Sequence, residues 1–125
     1  MALGLAAATA NARLNTYRGT NLTGVNVFVK LHTGDPGAAG TANASAVTTR
    51  NAITWNAPSG GSMTLSALAS YAMTTSETIS HISFWDASTA GNFLESAALT
   101  AGVPVINGST LTFSTLTVAL TPIAA

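Results

Sequence analysis

Short runs in which apolar and polar residues alternate, separated by clusters of turn residues, follow one another along most of the chain. Alternation with a period of two is typical of β-strands that bury one face and expose the other. The clearest runs lie at 25–32, 52–56 and 78–85, and turns recur about every 8–12 residues, a spacing typical of sandwiches and barrels. We therefore expect a mainly β fold, a compact antiparallel β-sandwich or barrel.

Turn residues indicate where these strands end and which of them form hairpins. Residues 86–91 have the composition of a hairpin turn, and Asn107-Gly108 is the strongest hairpin signal in the chain. Pro104 is expected to break the segment that contains it, because proline lacks the backbone N–H. A last strand is expected over 110–120, with a bulge or bend where its apolar phase shifts.

The turn after the first strand contains Asp35, whose side chain is expected to accept a hydrogen bond from the backbone of the same turn. The residues that follow, 38–49, are small and polar, which is typical of a surface loop. Arg50 comes next, and we expect its guanidinium group to pair with the carboxylate of Asp35, Asp86 or Glu95.

The first residues of the chain follow a helical pattern instead. A helix over 2–18 places five apolar residues on one stripe, namely Leu3, Ala7, Ala10, Leu14 and Tyr17. The stripe is rich in alanine, so this helix would be marginal alone and must dock on its own domain or on a partner. We therefore divide the chain into an N-terminal helical arm, 1–20, and a β-sandwich domain, 21–125, and we take the stripe as a candidate interaction surface.

The chain carries very little charge. Charged residues make up 6% of it and the net charge is zero, whereas an average soluble domain has about 25% charged residues. A protein with so few charged residues must cover its surface with hydroxyl groups, which 20 Thr and 12 Ser supply, or bury that surface against neighbouring molecules. The four basic residues are too few for a nucleic-acid patch, and no apolar stretch is long enough to span a membrane. We expect an assembly component that binds neither nucleic acid nor a membrane.

The sequence contains few groups for catalysis or metal binding. Two pairs could act in acid–base chemistry, His32 with Asp35 and His81 with Asp86. A small hydrolase that uses His81 and Asp86 is the enzymatic alternative, although no Gly-x-Ser-x-Gly motif accompanies either pair. There is no cysteine, and the chain has no metal-binding or nucleotide-binding pattern, so we expect no catalytic site, no metal ion and no cofactor.

Three aromatic residues allow two interpretations. Trp55, Trp85 and Tyr71 could stack on a sugar ring, as in a receptor-binding module, or they could fill the core of the β fold. The core is favoured, because both tryptophans lie in alternating strand patterns.

Four motifs occur along the chain in an order that resembles the order seen in a known family. The chain contains Val29-Lys-Leu-His-Thr-Gly-Asp-Pro-Gly37, Arg50-Asn-Ala-Ile-Thr-Trp55, His81-Ile-Ser-Phe-Trp-Asp-Ala87 and Gly91-Asn-Phe-Leu94. In order and spacing it resembles small virion proteins of tailed bacteriophages, which share an LHT-x-DPG turn. Proteins of this family carry labels such as tail-fibre, minor tail or virion protein.

The resemblance implies a structural role in the virion and transfers no catalytic residues. The first interpretation is a non-enzymatic capsid decoration, or cement, protein on the exterior of the particle. The alternative is a minor tail or tail-fibre protein that contacts the host surface. In either case the expected partners are further copies of the chain, as a homo-oligomer, and major capsid or tail proteins.

Overall fold

The structure, a computed structural model, describes residues 4–15, 17 and 26–119. Its helix and strands are α1 (Ala7–Asn15), β1 (Val27–His32), β2 (Asn51–Trp55), β3 (Ser62–Leu68), β4 (Tyr71–Ala72), β5 (Glu77–Trp85), β6 (Phe93–Val105), β7 (Thr110–Leu111) and β8 (Thr117–Ala119). These elements confirm the mainly β fold with one N-terminal helix.

Six strands form one antiparallel sheet in the order β6-β5-β1-β2-β3-β8, and β4 pairs with β7 in a second sheet. The large sheet curls into a half-barrel with β6 and β8 as its two edges. The turn between β5 and β6 is the hairpin that the composition of 86–91 predicts, since the Asp86 N–H donates to the Asn92 carbonyl at 3.2 Å.

One face of the large sheet carries the hydrophobic core. The register places Val29 opposite Phe84 and Leu31 opposite Ile82, so alternation in β1 and β5 puts these apolar side chains on the same face. The Tyr71 hydroxyl donates to the Val29 carbonyl at 2.6 Å inside this core. Burial raises the pKa of Tyr71, so the phenol stays protonated and keeps its hydrogen bond.

β6 runs through Pro104, which contradicts the prediction that this proline breaks the segment. Pro104 lies opposite Thr78 in the β5–β6 ladder, and its strand forms an edge of the sheet. An edge strand tolerates proline, because only one of its sides is hydrogen-bonded to another strand.

The Asn107-Gly108 turn forms, but the strands on either side of it do not form a hairpin. Gly108 has a φ of 90°, and the Gly108 N–H donates to the Met73 carbonyl at 2.8 Å. β7 then pairs with β4 instead of β6. In place of one last strand over 110–120, the structure has two short strands, β7 and β8, which pair in different sheets with residues 112–116 between them.

The helix is shorter than predicted, because residues 4–6 are extended. The Ala6 N–H donates to the Leu94 carbonyl, and the Ser96 N–H donates to the Gly4 carbonyl, each at 2.8 Å. These bonds pair the segment with the outer edge of β6, so α1 begins only at Ala7. The expected helix ends at residues 2 and 18 lie outside the described residues. Within the described ranges, no helix has the length and apolar character needed to cross a membrane.

Candidate functional site

A buried histidine connects the two longest motifs of the chain. The His32 side chain is fully buried at the end of β1, with Nδ1 2.8 Å from the Ala42 carbonyl and Nε2 2.7 Å from the Ser83 hydroxyl. The Trp85 indole N–H donates to the same Ser83 oxygen at 2.8 Å. A carbonyl only accepts, so Nδ1 carries the proton that is donated to Ala42. Burial lowers the pKa of His32 and so favours the neutral ring, whose Nε2 then accepts from the Ser83 hydroxyl.

The alternation of 25–32 places Val29 and Leu31 on one face and Lys30 and His32 on the other, which a half-buried strand is expected to expose. A loop covers His32 instead. The Thr33 N–H donates to the Asn43 carbonyl at 2.8 Å, and the Ser45 N–H donates to the Leu31 carbonyl at 3.1 Å, so the loop folds back along β1. The interpretation of 38–49 as a surface loop is therefore only partly right, because Gly40, Ser45 and Val47 are buried within it.

Asp35 has the role in this loop that the sequence predicts. Its Oδ1 accepts a hydrogen bond from the Gly37 N–H at 2.8 Å, which closes the turn after β1. Asn43 holds the same turn from the other side, since its side-chain amide donates to the Asp35 carbonyl at 2.9 Å.

Arg50 binds backbone carbonyls instead of a carboxylate. Its Nη1 donates to the carbonyls of Ala87 and Ala90, at 3.1 and 2.6 Å, in the turn between β5 and β6. Its guanidinium carbon lies 3.9 Å from the centre of the Trp85 ring, in a cation–π contact. Within the described residues it forms no ion pair with Asp35, Asp86 or Glu95, so that prediction is wrong.

The carboxylates that were candidates for Arg50 have other partners. Glu95 lies 3.5 Å from the Arg13 guanidinium group of α1. Asp86 accepts hydrogen bonds from the backbone and side-chain amides of Asn92, at 2.6 and 2.9 Å. These hydrogen bonds lower the pKa of Asp86, with a smaller contribution from the charge of Arg50. The Arg50 and Asp86 side chains thus hold the same turn by separate contacts.

Neither proposed catalytic pair is assembled. Both ring nitrogens of His32 are bound to Ala42 and Ser83, and Asp35 closes its own turn. His81 Nδ1 lies 2.7 Å from the Ser80 hydroxyl. Asp86 follows His81 by five residues along an extended strand, a separation of roughly 16 Å at about 3.3 Å per residue. Among the described residues, no three His, Asp or Glu side chains converge in a group that could hold a metal ion.

The three aromatic residues lie in different surroundings. Tyr71 is 1% exposed and belongs to the core cluster, which agrees with the core interpretation. Trp85 is 6% exposed but lies outside that cluster, on the other face of β5, where it contacts Ser83 and Arg50. Trp55 is half-buried and lies beside Phe84, with ring centres 6.3 Å apart. Of the three aromatic residues proposed for sugar stacking, it is the one that lines a cavity beneath α1.

This cavity, of about 320 Å³, separates α1 from the core face of the sheet. Its apolar wall includes Val27, Trp55 and Phe84, and α1 contributes Thr9 and Ala12. The Thr9 hydroxyl is buried and has no hydrogen-bond partner among the described residues. The alanine-rich helix therefore leaves space unfilled where it packs on the sheet. The sequence contains no signal for this cavity.

The predicted interaction stripe points mostly to solvent. Leu14 is 63% exposed and Tyr17 is 91% exposed, while Ala7 is exposed and Ala10 is half-buried. The stripe's first residue, Leu3, lies outside the described residues. Leu14 and Tyr17 border a surface groove of about 540 Å³, together with Leu5, Pro58, Met63 and Val118. The structure brings these residues together, and the helical pattern alone did not indicate which face of α1 docks.

The buried His32 makes stability depend on pH. Desolvation lowers the pKa of His32, so below about pH 6.5 the unfolded chain binds a proton that the folded protein does not. We expect the free energy of unfolding to fall on acidification from pH 7.5 to 5, by up to about 1.4 kcal/mol per pH unit. Urea unfolding at several pH values measures this slope. If a His32→Gln variant shows the same dependence of the unfolding free energy on pH, His32 is not its cause. An NMR titration that gives His32 an ordinary histidine pKa would also contradict the prediction.

Comparison with known protein families identifies the chain. The family model described as podophage GP4 fiber I protein gp80 matches residues 4–121. The chain belongs to this family. Membership of the gp80 family makes the protein a component of a bacteriophage virion. This confirms the resemblance to phage virion proteins that the motifs predict, and it favours the fibre label over the others. No curated protein matches the chain.

Proposed function

We propose that this protein is a non-enzymatic subunit of a tail fibre, and that its copies assemble through the exposed stripe of α1. The observation that carries the proposal is the gp80 family match over residues 4–121. The family name supports the tail-fibre alternative better than the capsid decoration that was the first interpretation of the sequence.

The surface of α1 supports assembly between copies. Leu14 on α1 is 63% exposed and Tyr17, which follows the helix, is 91% exposed, and both border the groove. Large exposed apolar patches on soluble proteins mark interaction sites. Because the chain has no net charge, neighbouring copies do not repel one another at close range.

The LHT-x-DPG turn has a structural role in this proposal. His32 of the turn bonds to Ser83, which also binds Trp85, while Asp35 closes the turn itself. We propose that this set of contacts is what the related virion proteins share. The two residues of the hydrolase alternative have separate partners, since His81 contacts Ser80 and Asp86 accepts hydrogen bonds from Asn92, which favours a structural role.

Cryo-electron microscopy of the source particle tests the location. We expect density for this chain on the tail, in a fibre. Density over the capsid facets would overturn the fibre proposal in favour of a decoration protein. If the chain is absent from a fibre and from the capsid, the proposed structural role fails altogether.

Removing the apolar side chains of the stripe should prevent assembly without unfolding the subunit. We expect Leu14→Ser with Tyr17→Ser to weaken association tenfold or more, because burying one such side chain contributes about 1.5–3 kcal/mol. Sedimentation measures association, and the melting temperature should stay unchanged, since both side chains are exposed. Ile106→Ser is the matched control, because Ile106 is 69% exposed but lies outside the groove. Equal association of both variants would contradict the interface.

A further inference from the structure

The N-terminal arm, here residues 4–15, is joined to the edge of β6 by backbone hydrogen bonds as well as by the Arg13 side chain. Leu5 lies opposite Glu95, and the bonds from Ala6 to Leu94 and from Ser96 to Gly4 continue the antiparallel pairing along the edge of β6. Backbone hydrogen bonds at a sheet edge do not depend on side-chain identity, nor on which copy supplies the added strand. The edge of β6 is therefore a docking site for an extended segment, and residues 4–6 fit it.

The arm has two contact faces, and its own subunit fills only one of them. Thr9 and Arg13 face the sheet, where Arg13 contacts Glu95. Leu14 and Tyr17 lie toward the neighbouring groove beside Met63 and Val118, where they stay 63% and 91% exposed. The contact with the sheet is also incomplete, since it leaves the cavity of about 320 Å³ and an unpartnered Thr9 hydroxyl. A helix that packs on one sheet and leaves apolar side chains exposed is suited to lie between two subunits.

The arm is also separable from the fold. The buried core cluster consists of residues from Val29 onward and includes none from the arm. α1 ends at Asn15 and β1 begins at Val27, so residues 16–26 connect them. A connection of this length can span up to about 36–40 Å when extended, more than the diameter of a domain this size. It is long enough for the arm to reach a neighbouring copy.

We propose that the arm is exchanged between subunits, so that the arm of one copy lies on β6 of the next. In this arrangement the backbone bonds to residues 94–96 and the contact of Arg13 with Glu95 form between chains. The Leu14 and Tyr17 face then packs against the subunit that donates the arm. The inference rests on the proposed assembly of copies, and it specifies the segment and the edge that join them.

A disulfide between the arm and β6 tests the exchange directly, because the natural chain has no cysteine. Leu5 and Glu95 are opposite residues that do not bond to each other, since the flanking residues make the hydrogen bonds. Such pairs have Cα atoms about 4.5 Å apart, within the range that a disulfide accepts. The assembled Leu5→Cys, Glu95→Cys variant is oxidised and separated on a non-reducing gel.

The matched control is a pair of the same geometry within one subunit. Thr64 lies opposite Thr117 in the β3–β8 ladder, and the Leu65 N–H donates to the Leu116 carbonyl beside them. Both threonines are exposed, and the chain is continuous in the structure between these strands. Thr64→Cys with Thr117→Cys should therefore form a disulfide inside one chain and migrate as a monomer.

We expect the arm variant to give covalent multimers that reduction converts to monomers, with the 5–95 linkage identified by mass spectrometry. A 5–95 linkage found only within single chains would overturn the exchange, and so would the absence of that linkage in a sample where the control is oxidised. Sedimentation of the unmodified protein separates the two proposals. If copies associate while the linkage stays within chains, only the exchange fails; if copies do not associate and the particle lacks the protein, the proposed function fails.

A charge exchange provides a second test without cysteine. Arg13→Glu and Glu95→Arg each place like charges at the contact between the arm and β6, so each variant should assemble several-fold less than the natural protein. In an equal mixture, an arm from one variant meets the opposite charge on the other. Recovery of assembly in the mixture supports exchange, whereas a mixture no better than its components contradicts it.

Discussion

Replacing His32 with alanine should lower the free energy of unfolding by about 3–5 kcal/mol. The side chain is fully buried, so the substitution opens a cavity beside Ser83 and Trp85. It also removes the hydrogen-bond partner of the Ala42 carbonyl and leaves the Ser83 hydroxyl without its histidine acceptor. Urea unfolding at pH 7.5, where the wild-type histidine is neutral, gives the difference between the two proteins.

His81→Ala is the matched control for this experiment. His81 lies directly opposite His32 in the sheet, but it is only half-buried and its ring contacts the adjacent Ser80. We expect a loss below about 1 kcal/mol for this variant, as for most partly exposed positions away from a buried network. Equal losses in the two variants would show that His32 contributes no more than an ordinary strand residue.

Gly40→Ala should destabilise the fold by about 2–4 kcal/mol, which makes it the second large effect. Gly40 has a φ of 73°, a conformation that alanine adopts only with strain. A Cβ atom there would lie 2.5 Å from the Phe93 ring. That ring in turn packs on Trp85, with centres 5.5 Å apart, so the loop and the hairpin must both move. Thermal or urea unfolding measures the loss.

Gly60→Ala separates the two contributions. Gly60 has a similar φ of 60°, but a Cβ atom there would meet nothing within 4 Å. We expect a loss of about 1 kcal/mol at this site, from backbone strain alone. The excess at Gly40 then measures the contact with Phe93. If both variants lose the same free energy of unfolding, the close contact between residue 40 and the Phe93 ring does not contribute to the loss at Gly40.

Both substitutions test the contacts between β1 with its following loop and the β5–β6 hairpin. His32 connects the first strand to the fifth through Ser83, and Gly40 lets the following loop approach Phe93. Arg50 holds the intervening turn by its carbonyl bonds while it lies over Trp85. The sequence motifs at 29–37, 50–55, 81–87 and 91–94 therefore contribute to one set of contacts between β1, its following loop and the β5–β6 hairpin.

Local signals predicted the features whose causes lie within a few residues. Alternation identified the strands, because a residue's side of the sheet depends only on its position along the strand. The turn of 86–91 and the closure by Asp35 were predicted for the same reason, since both bonds join neighbours in the chain. The spacing of the first apolar residues predicted a helix. It did not predict that residues 4–6 would pair with the edge of β6 instead of joining that helix.

The sequence by itself determined the mainly β fold, its N-terminal helix and the assignment to phage virion proteins. Only the tertiary structure decided that His32 is buried on the side predicted to face solvent, that Arg50 binds carbonyls, and that Pro104 continues an edge strand. It also decided that β7 pairs with β4, and that the arm leaves Leu14 exposed. The physical reason is common to all of these features, because each depends on partners far along the chain. A one-dimensional pattern records what a residue prefers, and the fold determines which distant groups it meets.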